Sequence, residues 1–148
     1  MNNISQTDWA YAAGITDGEG CISIWRGRGY DRRNGRTRAY WRYSSGIQVG
    51  STDEGLICWL HETFGGHRYF RKLKNPKWKD QYFWALSSKA SVPFLEGILP
   101  YLKIKVKQAE LVLEYRKGYG NQDPVWRDSM AARMRELNRR GPVTTNTL

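Results

Sequence analysis

The stretch Asp17-Gly18-Glu19-Gly20 places two carboxylates two residues apart, each followed by a glycine, directly ahead of the alternating run Cys21-Ile22-Ser23-Ile24-Trp25. Carboxylate oxygens ligate hard divalent cations such as magnesium, and flanking glycines leave room for a bulky substrate to approach the backbone. The chain also carries 24 Lys and Arg against 14 Asp and Glu, a formal charge of +10, so its natural partner is a polyanion. A cation-holding carboxylate beside a basic surface suits phosphodiester hydrolysis, which needs a nucleophilic water, a stabilised leaving oxygen and neutralised charge on phosphorus.

These carboxylates must be held by the segment before them. Ser5-Gln6-Thr7-Asp8 supplies capping residues, and the spacing that follows predicts a helix from about Asp8 to about Asp17, stopped by Gly18 and Gly20. Negative charge is disfavoured at a helix C-terminus. An ordinary Asp-Gly turn accounts for Asp17 but leaves Glu19 without a structural role. The Ala12-Ala13-Gly14 face of this helix has two readings, close packing inside one core or packing against a second copy of the same helix.

Two alternating runs follow, from Cys21 to Arg28 and from Arg38 to Ser51, and they predict a hairpin of long strands joined by a polar connection from Gly29 to Thr37. In the second run Ala39, Trp41, Tyr43, Ile47 and Val49 share a packing face. Arg38, Tyr40, Arg42, Ser44, Gly46 and Gln48 share the other, where arginine interleaved with aromatics suits nucleic acid. In the first strand Ile22 and Ile24 point to the core, leaving Ser23 and Trp25, with Arg26 and Arg28, for bases and phosphates. Charge is concentrated here, in Arg26, Arg28, Arg32, Arg33, Arg36, Arg38 and Arg42, and again from Arg68 to Lys79. Arginine suits bidentate contact with phosphate and guanine edges better than lysine does.

Asp53-Glu54 opens a packing helix that runs to Phe64 and closes at Gly65-Gly66. His67 to Leu73 and Gln81 to Ser87 form a second hairpin around Asn75-Pro76, whose open face is expected to carry Tyr69, Arg71, Tyr82 and Trp84. Helices are predicted from Ser88 to Leu102, from Val106 to Lys117, and from the Asp123-Pro124 cap onward. The order is αββ twice over. This predicts an α+β fold with one four-stranded antiparallel sheet and helices on one face.

With 148 residues and 40% hydrophobic content the chain suits one core. Two cysteines make no disulfide framework, no apolar run approaches membrane-spanning length and the N-terminus lacks signal-peptide character, so a soluble intracellular protein is expected. Cys58 and His61 are better explained as helix packing than as zinc ligands.

Ala12 to Gly20 resembles the motif of the LAGLIDADG homing endonucleases, with Ala13, Gly14, Asp17 and Gly20 identical and Glu19 in place of the last Asp. Leu102 to Leu113 is similar to the segment after the second hairpin in the single-motif, homodimeric branch of that family. The resemblance spans about Asp8 to Lys117. It implies an αββαββα endonuclease domain over residues 1–118 with a saddle-shaped sheet; beyond it, Trp126, Met130, Met134 and Leu137 at helical intervals give a helical extension at 119–140, and the tail at 141–148, without packing residues, is expected to be disordered. It further implies a homodimer that makes a double-strand break in a long pseudo-palindromic DNA target, with no small-molecule substrate.

In that family the last acidic residue of the motif binds metal, which falls on Glu19. One carboxylate is a poor magnesium site, but a two-fold axis between paired helices, lined by Ala12, Ala13, Gly14 and Thr16, would bring a second Glu19 alongside. The Gly18 carbonyl adds an oxygen, and Mg2+, Mn2+ or Ca2+ is the expected cation. The resemblance also assigns Lys105 to the scissile phosphate or its water and a polar residue near the end of the second strand to the same network. Gln48 and Ser51 are the candidates there, Ser51 standing where glutamine is expected. DNA contacts are expected from Ser23, Trp25, Arg26, Arg28, Arg32, Arg33, Arg36, Arg38, Tyr40, Arg42, Ser44, Gln48, Tyr69, Arg71, Tyr82 and Trp84. There are two other readings, an intron maturase that uses the same basic sheet to hold structured RNA and a non-catalytic DNA-binding regulator that reads with the last helix from Asp123 to Arg140.

Overall fold

A computed structural model describes residues 3–121 and 123–139. Helix α1 (Gln6–Glu19) begins where Ser5 Oγ accepts the Asp8 amide at 3.1 Å. It runs through Gly18 and ends only when the Gly20 amide closes onto Thr16 O. Gly18 was expected to stop the helix; a glycine weakens a helix by about 1 kcal/mol without ending it, and contacts from the later chain hold this last turn.

The first hairpin is longer and tighter than its sequence suggests. Strands β1 (Gly20–Arg33) and β2 (Arg36–Ser51) pair in one register from Gly20↔Val49 to Arg33↔Arg36. Only Asn34 and Gly35 turn the chain, at φ 52° and 73°, the left-handed pair that a two-residue hairpin requires. The stretch expected to be a loop from Gly29 to Thr37 is therefore mostly strand. Its residues read as a loop because both faces of the ribbon are exposed there, which removes the apolar half of the alternation.

Asp53 caps α2 (Glu54–Phe64) by accepting the Leu56 amide. Strand β3 (His67–Arg71) ends two residues before the expected boundary, and β4 (Gln81–Ser87) matches it. The sheet is antiparallel throughout, in the order β1-β2-β4-β3. Two 3₁₀ turns, Ser88–Ala90 and Leu99–Tyr101, flank α3 (Ser91–Ile98). The chain then forms α4 (Val106–Lys117) and α5 (Pro124–Leu137), the latter with Asp123 as cap and Pro124 in its first turn.

One core lies between the helices and one face of the sheet. Ile22, Ile24, Ile47, Val49, Trp84 and Leu86 enter from the strands, and Ala12, Ala13, Leu60, Phe64, Phe94, Leu95, Ile98 and Val112 from the helices. Phe64 packs edge-on to Phe94 at 4.9 Å, and Phe94 meets Trp84 at 5.0 Å. Helix α5 belongs to this core through Met130, Ala131 and Met134. Its end is fixed by Asn138 Nδ2, which donates to Ile22 O at 2.7 Å, and by Gln108 Nε2, which donates to Leu137 O. The tail at 141–148, expected to be disordered, lies outside the described residues. Among the described residues no helix is long and apolar enough to cross a membrane.

Candidate nucleic-acid interface and cation site

The end of α1 is tied to the start of α4 by two residues working in opposite directions. Asp17 accepts three successive backbone amides, from Lys103 at 2.8 Å, Ile104 at 3.2 Å and Lys105 at 3.0 Å. Three amides aimed at one carboxylate form an anion nest, which offsets the unfavourable position of a negative charge at a helix C-terminus. In return Lys105 Nζ donates to Thr16 O, Asp17 O and Gly20 O at 2.9, 3.1 and 2.5 Å. Asp17 thus has a structural role much larger than that of a turn residue. Glu19 follows it with an exposed side chain.

Paired residues of an antiparallel ladder share a face, so the register assigns every strand residue. The face away from the helices carries Cys21, Ser23, Trp25, Gly27, Gly29, Asp31 and Arg33 from β1 and Arg36, Arg38, Tyr40, Arg42, Ser44, Gln48 and Gly50 from β2. Gln81, Phe83, His67, Tyr69 and Arg71 continue it across β4 and β3. Two aromatic rings lie over glycines in this surface, Tyr40 over Gly29 and Phe83 over Gly50. Tyr69 stacks on Phe83 with centroids 4.8 Å apart, and the Arg71 guanidinium sits over the same ring. The result is an exposed, arginine-rich face with flat aromatic platforms, suited to phosphates and base edges.

Four residues expected on that face are elsewhere, as is Arg32, a DNA contact expected from the polar connection. Trp84 is fully buried and its indole nitrogen donates to Gly65 O at 2.7 Å, while Tyr82 packs half-buried on the helix side against Phe70. Leu86 shares their alternation, and its apolar side chain is the sequence signal that the trio points inward. Arg26, Arg28 and Arg32 fall on the same side as Ile22 and Ile24. There Arg26 pairs with Asp128 of α5 at 3.0 Å, and the Arg26 and Arg28 guanidiniums lie 4.2 and 4.3 Å from the Trp41 ring centre. Gln81 and Phe83 take the places forecast for Tyr82 and Trp84.

Most of the residues expected to line a dimer face are covered by this chain's own core. Ala12, Ala13 and Thr16 are completely buried in this chain's own core, with Thr16 Oγ1 bonded to Ala12 O, so they present no surface to a partner. Of the expected residues Gly14 alone faces outward. It lies in line with exposed Ala10 and Gly18, and at both glycines an added Cβ would meet nothing within 4 Å.

Near Glu19, Gln48 is exposed on the open face opposite Cys21, one register step from the chain leaving α1. Ser51 is not: it pairs with Tyr82, is half-buried, and its hydroxyl accepts the Asp53 amide at 3.0 Å. Among the described residues no three His, Cys, Asp or Glu side chains gather where they could hold a metal. Glu19 and the Gly18 carbonyl are oxygen donors of the kind a hard divalent cation takes, too few by themselves to hold one.

Neither a protein-family profile nor a curated relative matches the chain. Solved structures do, and they define the class: the chain has the LAGLIDADG homing endonuclease fold. The homing endonuclease I-CvuI, solved with a DNA target in the presence of magnesium, aligns with TM-score 0.68 and 24% identity over 95% of this chain and 87% of that one. The archaeal intron-encoded homing endonuclease I-Vdi141I, solved with DNA, aligns with TM-score 0.70 and 15% identity over 95% and 89%. I-LtrWI, a LAGLIDADG homing endonuclease bound to target DNA, aligns with TM-score 0.56 and 16% identity over 97% of this chain but 46% of its own.

Proposed function

We propose that this protein is a site-specific DNA endonuclease that cuts both strands of a long pseudo-palindromic target as a homodimer, with a divalent cation held by Glu19. The observation that carries the reading is the position of Glu19: an exposed carboxylate at the end of α1, where the chain enters a sheet whose open face is lined with arginine and aromatic rings. Duplex DNA laid along that face by phosphate contacts would pass this carboxylate. Arg38, Arg42, Gln48 and Arg71 have the donors for base edges in the major groove, and Arg33 and Arg36 at the hairpin tip suit phosphate.

Two features support a pair of chains. A single Glu19 gives too few oxygens for magnesium, and the small residues Ala10, Gly14 and Gly18 leave an uncovered strip on α1 that a second α1 would close. The alignment of this chain with less than half of I-LtrWI fits the same arrangement, one copy standing for half of a larger enzyme. Glu19 of each chain, with the Gly18 carbonyl as a further donor, would hold a divalent cation such as magnesium, which when bound would supply an activated water and neutralise charge at the phosphate. The chain's own residues position the duplex and hold the carboxylates where the two strands pass. With DNA bound, the target phosphates complete the oxygen set that protein alone does not provide.

The test is a cleavage selection on a randomised pseudo-palindromic DNA library with magnesium. Wild-type protein is expected to yield a double-strand break at one recovered site. Glu19→Gln should bind that site with unchanged affinity and fail to cut it. Normal cutting by Glu19→Gln removes the cation ligand from this assignment, and a recovered site bound but never cut by wild type turns the protein into a DNA-binding regulator.

A further inference from the structure

An ammonium group has three N–H donors, and at Lys105 all three have a carbonyl oxygen within hydrogen-bond distance. Those oxygens are two of the last four carbonyls of α1, Thr16 O also taking the Gly20 amide, plus that of Gly20 just beyond the helix. Lys105 is thus a C-terminal cap for α1 delivered from 86 residues away, with its positive charge at the negative end of the helix dipole. Its donors are directed at backbone on both sides of Glu19. The aim of the side chain is set in turn by Asp17, whose carboxylate collects the amides of Lys103, Ile104 and Lys105 ahead of α4. The N-cap residue of α4 is Lys105 itself, whose side chain does not cap that helix, and Asp17 fixes the approach to it through the three amides.

We infer that Asp17 and Lys105 form one positioning unit for Glu19. Lys105 acts through the backbone of α1 rather than on water or phosphate, and Asp17, which the sequence reading left as a turn residue, is its necessary counterpart. The two side chains cross-link the same two segments, so removing either releases both. The consequence for the reaction rests on the endonuclease reading: with the Thr16–Gly20 turn freed, Glu19 loses its fixed direction and the cation is held less tightly. Outer groups that orient a metal ligand commonly change metal affinity about 10-fold to 100-fold when removed.

The experiment has two arms. In the first, 1H–15N spectra of the free full-length chain are searched for a slowly exchanging lysine ammonium signal, assigned by its loss in Lys105→Arg. It is expected in wild type and absent from Asp17→Asn. A Lys105 ammonium that exchanges like a solvated lysine in wild type overturns the unit, whatever the protein does to DNA.

In the second arm, cutting of the selected site is measured against magnesium concentration. Asp17→Asn and Lys105→Met should each raise the half-saturating magnesium about tenfold, the double variant no further, with excess magnesium restoring most of the cutting and the pH profile keeping its shape. A loss of about 100-fold or more in Lys105→Met at saturating magnesium, with the magnesium requirement unmoved, overturns the proposal by placing Lys105 on the reacting atoms. If wild type cuts no recovered site, the endonuclease reading fails and the ammonium signal still decides the positioning unit.

Discussion

The phenol of Tyr43 on β2 donates to Asp128 Oδ1 on α5, and the same oxygen is 3.0 Å from Arg26 on β1. One carboxylate therefore locks the last helix across both strands of the first hairpin where the hairpin leaves the core. The hydrogen bond from Tyr43, with the Arg26 charge behind it, holds the Asp128 carboxyl below the usual carboxylate range. Burial, followed by the Asp128 hydrogen bond, pushes the Tyr43 phenol above its usual value.

These two shifts bound a stability plateau. A carboxylate lowered by folding contributes stability above its unfolded value, lost as pH falls through the folded one; a phenol raised by folding contributes below its unfolded value, near pH 10, and loses it as pH rises further. Asp128→Asn should therefore lower thermal stability at pH 7, and the gap from wild type should close as pH falls below about 4. Because the pair is largely solvated, added salt should shrink the Arg26 part. An acid-side gap that stays constant in melting curves at successive pH values would show that Asp128 works through packing alone.

Trp84 gives the clearest contrast between a binding residue and a core residue. It is fully buried, touches Phe94 and Phe64, and satisfies its indole nitrogen on Gly65 O. Trp84→Ala should cost about 3–5 kcal/mol, enough to unfold much of a marginal domain. Phe83→Ala, on the open face one residue away, should lose little stability and weaken DNA binding. Urea titration and filter binding on the two variants would separate these outcomes, and a stable Trp84→Ala with weakened DNA binding would reverse the faces.

The fold was legible in this chain because its elements announce themselves locally. Asp53 and Asp123 caps, the i, i+3, i+4 spacing of Leu56, Ile57 and Leu60, and the alternation through Ile22, Ile24, Ile47 and Val49 each depend on neighbours a few residues away. Glu19 drew notice because its place at a helix end gives it no structural duty, and the fold leaves its side chain exposed. The network beside it was not, since the bonds between Asp17 and Lys105 span 88 residues. Arg26 and Arg28 were misplaced for another reason: their charge suggested nucleic acid, whereas the parity set by Ile22 and Ile24 put them on the helix side. Asn34-Gly35 is itself a local hairpin signal, but the strands beside it went unrecognised because the two-sided ribbon shows no apolar stripe to mark where strand ends.

A prediction about assembly follows from the space around α1. At Gly14 an added Cβ meets nothing in the single chain, so Gly14→Leu should not destabilise the isolated fold and, with helix propensity favouring leucine by up to about 1 kcal/mol, should raise its melting temperature by about 2–4 °C. If two α1 helices meet along Ala10, Gly14 and Gly18, the same leucine blocks their approach and yields a monomer by light scattering. Ala13→Leu, by contrast, inserts three carbons into a packed core and should cost about 1–3 kcal/mol whatever the assembly. A Gly14→Leu protein that still self-associates as wild type does would move the interface off this strip.

The two faces of the long ribbon predict two kinds of arginine. β1 spans 14 residues, about 45 Å of strand, and its outer half extends past the helices with both sides exposed. Arg38 and Arg42 stand on the open face, free of ion pairs among the described residues, where guanidinium forks can meet guanine edges. Arg28 on the opposite face is committed to the Trp41 ring. Alanine at Arg38 or Arg42 should relax the preference at one symmetric pair of base positions, at about 1–3 kcal/mol per contact, without erasing binding elsewhere. Alanine at Arg28 should leave the preferred sequence intact and weaken all sequences alike, if at all, because a charge that reads no base acts only through the field of the surface. Recovered-sequence profiles for the three variants, taken at two salt concentrations, check this directly. A profile that changes with Arg28 and not with Arg42 would mean that DNA meets the ribbon from the helix side.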